Sequence, residues 1–168
     1  MGEGQEQWQN EKIDDKMPLA HAIRVVENSH GGSVAAAIEG RIADAGVKRV
    51  RKDAVTHLTV YASMPDYSNR SEDERNQFVQ LLKQFLGKKY GAENVVDMRW
   101  HFDESTPHLH ATVVPITADG RLCAKELFAP TKKSMEKWQR EYYAQVAAPL
   151  HYSAPNFGHS AEKGYTKS

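Results

Sequence analysis

The chain has 168 residues, and its 22 Lys and Arg balance its 22 Asp and Glu, so the formal net charge is zero at pH 7. This length suits one domain with a proper core, and the balanced charge provides no global positive field for nucleic acid. A nucleic-acid partner would therefore have to be held by a local basic patch or through a metal ion. The single Cys123 excludes a disulfide scaffold, and no apolar run is long enough for a membrane span, so we expect a cytoplasmic protein.

The composition divides the chain into three expected regions. Residues 1–16 are polar and charged, which predicts a flexible lead-in, and residues 149–168 are rich in Pro, Ser, Gly and Tyr, which predicts a mobile tail. Residues 17–148 contain every periodic apolar pattern. We therefore expect one domain over 17–148.

The first predicted elements are a strand, a helix, a second strand and a long helix. The strand covers 18–26 and ends before the Gly31-Gly32 pair. Apolar residues every fourth position predict a helix over 33–45, and alternation predicts a strand over 55–62. The sequence Ser71-Glu72-Asp73-Glu74 is typical of a capping box, and it predicts a helix that closes near Gly87 or Gly91.

The second half of the domain begins with a predicted hairpin. Alternation predicts strands over 94–102 and 108–116, joined by a turn, and a short edge strand at 122–124. A last helix is expected over 131–148, where Pro149 would stop it. Its predicted buried stripe is Met135, Trp138, Tyr142 and Val146. The order of elements predicts an α+β domain whose antiparallel sheet carries helices on one face and is open on the other.

Three histidines and two carboxylates fall within the ten residues from His101 to His110. Alternation puts His101 on the polar side of the first hairpin strand, and it puts His108 and His110 on one side of the second. Neutral imidazoles are good ligands for Mn²⁺, Zn²⁺, Ni²⁺ or Co²⁺, and three of them leave coordination positions open for substrate. Asp103 and Glu104 either complete such a site or are exposed turn carboxylates, and the alternative for the histidines is a solvated hairpin surface.

The pattern His-x-Asp-Glu-x-x-Pro-His-x-His, followed by Val113-Val114-Pro115, resembles the metal-binding motif of a known family. That family is the MobV/Pre group of plasmid mobilisation relaxases, which belongs to the HUH endonuclease superfamily. The segment Arg51-Lys52-Asp53-Ala54-Val55 resembles a second recurrent part of the family, and 120–122 with 125–128 resembles a third. The resemblance spans roughly residues 10–148.

The resemblance implies a single HUH-type domain with a defined activity. Members bind the plasmid origin of transfer and use a divalent cation, usually Mn²⁺ and in principle also Mg²⁺, to polarise the scissile phosphate. They cut one DNA strand and stay joined to its 5′ end, in concert with the conjugation machinery. The ligands implied here are His101, His108 and His110, with Glu104 as the fourth participant. We expect a monomer that binds single-stranded origin DNA.

The nucleophile is where this sequence departs from the family. The family uses a histidine in a His-Asn-x-Arg motif after a first strand, and that motif would precede the segment with which this chain begins. His21 has the His-x-x-Arg spacing with Arg24, so it is one candidate, the alternative being a strand histidine that points at the core or solvent. Other HUH enzymes use a helical tyrosine, which makes Tyr143 the second candidate. A glutamate that the family often carries falls at Thr59, which cannot act as a base.

The remaining candidates are groups that would support the metal or hold DNA. Arg49, Arg51 and Lys52 form a basic cluster, and Arg99 shares the predicted histidine face, so phosphate contacts are expected from them, the alternative being a solvated surface. His57 is expected to orient a ligand imidazole or to contact phosphate, the alternative being a satisfied surface histidine. Asp103 is expected to orient a ligand imidazole if it does not bind the metal itself.

Three functions from different classes follow from these residues. The first is a metal-dependent relaxase that nicks and joins DNA. The second is a nicking-deficient relative that binds metal and origin DNA as a repressor or accessory factor. The third is an unrelated metal-dependent phosphohydrolase, in which metal-bound water attacks the phosphate.

Overall fold

The structure is a computed structural model that describes residues 23–103, 105–128 and 131–155. In these ranges the four strands form one sheet in the order β1-β3-β4-β2, with every neighbouring pair antiparallel. The strands are β1 (Ile23–Asn28), β2 (Leu58–Ser63), β3 (Val95–His101) and β4 (His108–Val113). The helices are α1 (Val34–Asp44), α2 (Glu72–Tyr90), α3 (Ala124–Leu127) and α4 (Lys132–Tyr142). The predicted α+β class and its antiparallel sheet are confirmed.

The larger hydrophobic core lies between one face of the sheet and the helices α2 and α4. Trp100 of β3 is at its centre, stacked near Phe78 of α2 with ring centroids 5.8 Å apart. Phe85 of α2 contacts Trp138 and Tyr142 of α4 edge to face. Burying each such side chain contributes roughly 1.5–3 kcal/mol, so this layer fixes the strands that carry the histidines.

Helix α1 packs on a second, smaller core at one end of the sheet. A register shift between Val95 and Asp97 interrupts the alternation of β3, and Val96 joins Val114 and Ile38 in this cluster. Val114 directly follows β4 and has even spacing from His110, so α1 covers part of the same face that carries the histidines. The sequence did not predict this, because simple alternation places Val96 with Met98 on the opposite side.

The last helix differs in detail from its prediction. The α-helix ends at Tyr142, and the chain continues as one π-helical turn (Tyr143–Ala147) and a 3₁₀ turn (Ala148–Leu150). Pro149 fits the first turn of that 3₁₀ helix because a proline there sacrifices no helical hydrogen bond. Met135 is 50% exposed and therefore lies off the buried stripe, whereas Val146 is fully buried.

Two further predictions are refined at the ends of elements. Leu122 forms one isolated bridge with Ile116 and not a strand. The predicted strand residues 18–22 lie outside the described residues, and β1 extends to Asn28. Within the ranges that the structure describes, no helix is long and apolar enough to cross a bilayer.

Helix α2 begins with the predicted cap, and this allows a stability test. The Ser71 side chain accepts a hydrogen bond from the Glu74 backbone nitrogen at 3.2 Å. Ser71→Ala removes this acceptor and is expected to lower the free energy of unfolding by about 1 kcal/mol, measured by urea denaturation. Ser71→Thr keeps the hydroxyl and should stay close to the wild type. An alanine variant as stable as the wild type would contradict this role of the cap.

Candidate metal and DNA site on the open sheet face

Two rows of side chains run across the strands on the open face of the sheet. The outer row contains the Cα partners Ile23, His101, His108 and Ser63. The central row contains Val25, Arg99, His110 and Tyr61. Because directly opposed residues of neighbouring strands point to the same side, the hairpin brings all three predicted histidines onto one patch. The predicted juxtaposition of the histidines is therefore observed.

The three imidazole rings are half-buried and close together. The rings of His101 and His110 are stacked with centroids 3.6 Å apart, and His108 lies 6.4 Å from His110 at a steep angle. In these orientations no three His, Cys, Asp or Glu side chains of the described ranges are arranged to hold a metal ion. The backbone thus brings the three imidazoles close together, and metal binding would require the histidine side chains to rotate about their χ torsion angles.

The two carboxylates of the turn differ in what the structure describes. Asp103 has a half-exposed side chain, and its Oδ1 atom is 3.9 Å from Nδ1 of His101. That separation is too long for a hydrogen bond, so the contact is a weak electrostatic one. Glu104 lies outside the described residues. Its predicted part in metal binding stays a prediction.

Arg99 is held beside His110 by a buried carboxylate. Its Nε and Nη2 atoms donate to the two carboxylate oxygens of Asp97 at 2.7 and 2.6 Å, and the Asp97 side chain is 1% exposed. Asn28 of β1 donates to the same carboxylate at 2.9 Å. The hydrogen bonds that Arg99 donates to the Asp97 carboxylate raise the pKa of Arg99 above its usual value. The guanidinium is therefore charged and fixed in orientation, which suits it to a phosphate contact.

The roles of Asp97 and Asn28 were not predicted from the sequence. The sequence signal for this pairing was weak, because alternation marked Asp97 only as one of several polar positions in β3. Its role depends on the β1–β3 pairing that places Asn28 opposite Asp97, and nothing local in the sequence specifies that pairing.

The other predicted DNA and support residues lie away from this patch. Arg49, Arg51 and Lys52 are exposed in the segment between α1 and β2, and Arg51 pairs with Asp53 at 3.1 Å. His57 is exposed at the start of β2, where its Nδ1 is 3.0 Å from the Thr56 hydroxyl. It lies four residues before the central row, roughly 13 Å along the strand, so the structure does not bring it to the histidines.

The two tyrosines at the end of α4 belong to the helical layer behind the sheet. Burial raises the pKa of Tyr142 to about 12, and its ring stacks on Trp138, as expected for a core residue. The Tyr143 hydroxyl donates to the backbone oxygen of Tyr152 at 3.3 Å. This contact places Tyr143 beside the C-terminal segment and not beside the histidine rows. His21 lies outside the described residues.

Comparison with known proteins identifies the family. A family model described as plasmid recombination enzyme (Mob_Pre) matches residues 5–151, which is most of the chain. The chain belongs to this family. It is 36% identical over 103 residues to plasmid recombination enzyme type 3 of Staphylococcus aureus, covering 60% of this chain and 25% of that protein. The predicted membership of the MobV/Pre group is thereby confirmed.

A second relative is also much longer than the region that matches this chain. The chain is 36% identical over 95 residues to a plasmid recombination enzyme of Bacillus thuringiensis, covering 56% of this chain and 21% of that protein. The chain thus spans about a quarter of the length of the curated family members it matches.

Solved structures of the family show the same fold. The MobM relaxase domain bound to pMV158 oriT DNA, in a Mn-bound crystal structure at pH 6.8, has a TM-score of 0.62 and 20% identity. That match covers 99% of this chain and 95% of the MobM chain. A second Mn-bound MobM complex at pH 5.5 gives a TM-score of 0.65 and 22% identity over 90% of this chain and 83% of that chain. These likenesses establish the relaxase fold for this chain.

Proposed function

We propose that this chain is a relaxase-type domain of plasmid mobilisation, which binds origin-of-transfer DNA on its open sheet face and nicks one strand. The observation that carries the proposal is the joint placement of three imidazoles and a fixed guanidinium on one patch. Imidazole nitrogens hold a divalent cation, and a guanidinium binds phosphate, so the patch has the chemistry that phosphate transfer needs.

The donor set fits a divalent cation of the first transition row. His101, His108 and His110 would hold it, and Glu104 is the proposed fourth participant. The MobM neighbours are Mn-bound, which supports Mn²⁺ as the native ion. A bound cation would supply Lewis-acid polarisation of the scissile phosphate.

The chain's own residues would position the DNA around that phosphate. Arg99 lies beside His110 and would bind a non-bridging phosphate oxygen, which also neutralises charge as the transition state forms. The exposed Arg49, Arg51 and Lys52 would steer the DNA backbone from outside the site. Origin DNA is the proposed partner because the MobM neighbours are bound to oriT DNA. We further propose that the domain acts as a monomer in concert with the conjugation machinery.

His21 is the better supported of the two proposed nucleophiles. The chain enters β1 at Ile23, the Cα partner of His101. His21 lies outside the described residues, and its candidacy rests on its His-x-x-Arg spacing with Arg24 in the sequence. Tyr143 remains the alternative, although its hydroxyl is bonded within the helical layer.

One experiment tests this function. The protein is incubated with labelled single-stranded origin-of-transfer DNA and Mn²⁺, denatured, and analysed for a covalent protein–DNA adduct whose position is mapped by mass spectrometry. We expect an adduct that requires Mn²⁺ and disappears in His21→Ala. Loss of the adduct only in Tyr143→Phe would assign the tyrosine instead.

A second function, binding without nicking, has a specific observation in its favour. The position where the family often carries a glutamate is Thr59, which lies on the same face in the row next to Tyr61. DNA binding with neither adduct nor cleavage in the presence of any divalent metal would establish this binding function and refute the relaxase proposal. Multiple turnover without an adduct would instead indicate a metallohydrolase.

A further inference from the structure

Tyr61 ends the central row at the edge strand β2, directly opposite His110. We propose that Tyr61 is a stacking platform for one nucleobase of single-stranded DNA, and that the DNA crosses the sheet along the central row. This role of Tyr61 rests on the proposed relaxase function for one point only, namely that the ligand is single-stranded DNA. It assigns a recognition role to a residue outside the histidine motif.

Exposure sets Tyr61 apart from the other large apolar side chains. Five of these are exposed in the described ranges, and Tyr61 is the most exposed at 65% and the one aromatic residue among them. Val25, at 51%, is another of the five, and it ends the central row on the opposite edge strand. Exposed apolar surface is unfavourable in water, so the two flanks of this row offer area that a ligand can bury.

The ring of Tyr61 is oriented by its neighbour. It meets the His110 imidazole edge to face, with centroids 4.5 Å apart and an angle of 81° between the planes. Because His110 in turn stacks parallel to His101, the tyrosine ring stands nearly perpendicular to both imidazoles. A ring at the edge of the sheet, with most of its surface in solvent, presents a face on which a planar base can stack.

The charge along the row matches the backbone of the same ligand. Arg99 is the charged member of the central row, and its guanidinium is fixed by Asp97. Neighbouring strands are about 4.8 Å apart, so Arg99 lies roughly 10 Å from Tyr61 and the whole row spans roughly 14 Å. A phosphate bound near Arg99 and a base stacked on Tyr61 can therefore belong to the same short stretch of DNA. A free base has no phosphate to accept from the guanidinium N–H groups that Asp97 does not engage, and this favours a strand over a mononucleoside.

The test compares Tyr61→Leu with Tyr61→Phe in the full chain. The probe is a fluorescein-labelled oligothymidylate of about 25 nucleotides, titrated at fixed salt without added metal. Loss of one stacking contact is expected to weaken binding about 5- to 100-fold in Tyr61→Leu, whereas Tyr61→Phe keeps the ring and should bind like the wild type. Met135→Ala, which removes another exposed apolar side chain on α4, should leave binding unchanged.

A crosslinking experiment reports the contact directly. The same oligothymidylate carrying 5-iodouracil is irradiated with the wild-type protein, and the crosslinked peptide is identified by mass spectrometry. We expect the crosslink on Tyr61. A crosslink elsewhere with undiminished binding in Tyr61→Leu overturns the inference, and so does a wild-type protein that binds no single-stranded DNA.

The outcome is separable from that of the nicking experiment. Tyr61-dependent binding without a covalent adduct would support the platform while the relaxase proposal fails. If Tyr61→Leu binds the DNA with wild-type affinity and forms the adduct equally well, the proposed stacking role of Tyr61 is overturned and the relaxase proposal stands. Because Tyr61 is exposed, its variants are expected to fold, and an unchanged thermal transition verifies this.

Discussion

His108→Ala should lower Mn²⁺-dependent nicking by more than about 100-fold and weaken Mn²⁺ binding to a similar extent. Loss of a residue that merely orients a metal ligand already costs 10- to 100-fold in several proteins, so loss of a ligand is expected to cost more. The measurements are Mn²⁺ titration calorimetry and cleavage of labelled origin DNA. His108 belongs to the outer row, so its removal leaves Arg99, His110 and Tyr61 in place.

This arrangement makes the His108 result specific to the metal. Single-stranded DNA binding without metal should survive in His108→Ala, because the central row is intact. His30→Ala is the matched control, since His30 lies in the segment between β1 and α1 and outside both rows, where it pairs with Asp44 at the end of α1. Full nicking by His108→Ala would refute the proposed ligand set, as would equal losses in the two variants.

Trp100→Ala should lower the free energy of unfolding by about 3–5 kcal/mol. The Trp100 ring is 3% exposed and is surrounded by Tyr67, Phe78 and Phe102, with ring centroids 5.0, 5.8 and 6.2 Å away. Truncation leaves a cavity into which the sheet and α2 can relax only partially, and the lost aromatic contacts add to the cost. Urea denaturation, monitored by circular dichroism, measures the change in the free energy of unfolding.

The control for the core prediction is Met135→Ala. Met135 is 50% exposed on α4, so its truncation should change the free energy of unfolding by less than about 0.5 kcal/mol. Similar losses in the two variants would mean that Trp100 is not the centre of the core. Trp100 also lies between Arg99 and His101 in sequence, so the unfolding of its strand would remove the site as well.

Local patterns in the sequence were enough to predict most elements and the histidine patch. Alternation on two adjacent strands specified which side each histidine faces, and a short turn brought the strands together. The Ser71 cap marked the start of α2, the longest helix of the described residues, and its end was predicted near Gly87 or Gly91. The structure selects Gly91, which has a positive φ. These features depend on residues close in sequence, which explains why they were predictable.

What escaped prediction depends on contacts between distant residues. The bulge at Val96 and the cover by α1 arise from packing across the sheet, where one displaced residue changes which side a side chain faces. The partnership of Asp97 with Asn28 joins strands 69 positions apart. The ring orientations of the histidines are likewise set by neighbours on three strands and not by the motif itself.

The strand order has a topological consequence for the substrate. In the part of the chain that the structure describes, β1 and β2 each have a strand on one side alone, so the central row meets solvent at both edges of the sheet. Helix α1 covers the face at one end of the strands, and a path along the strands is therefore closed there. A polymer can be laid across such a surface from the side without threading an end through it. Under the proposed function, a covalently closed circular plasmid could be engaged at an internal site, with no free DNA end required.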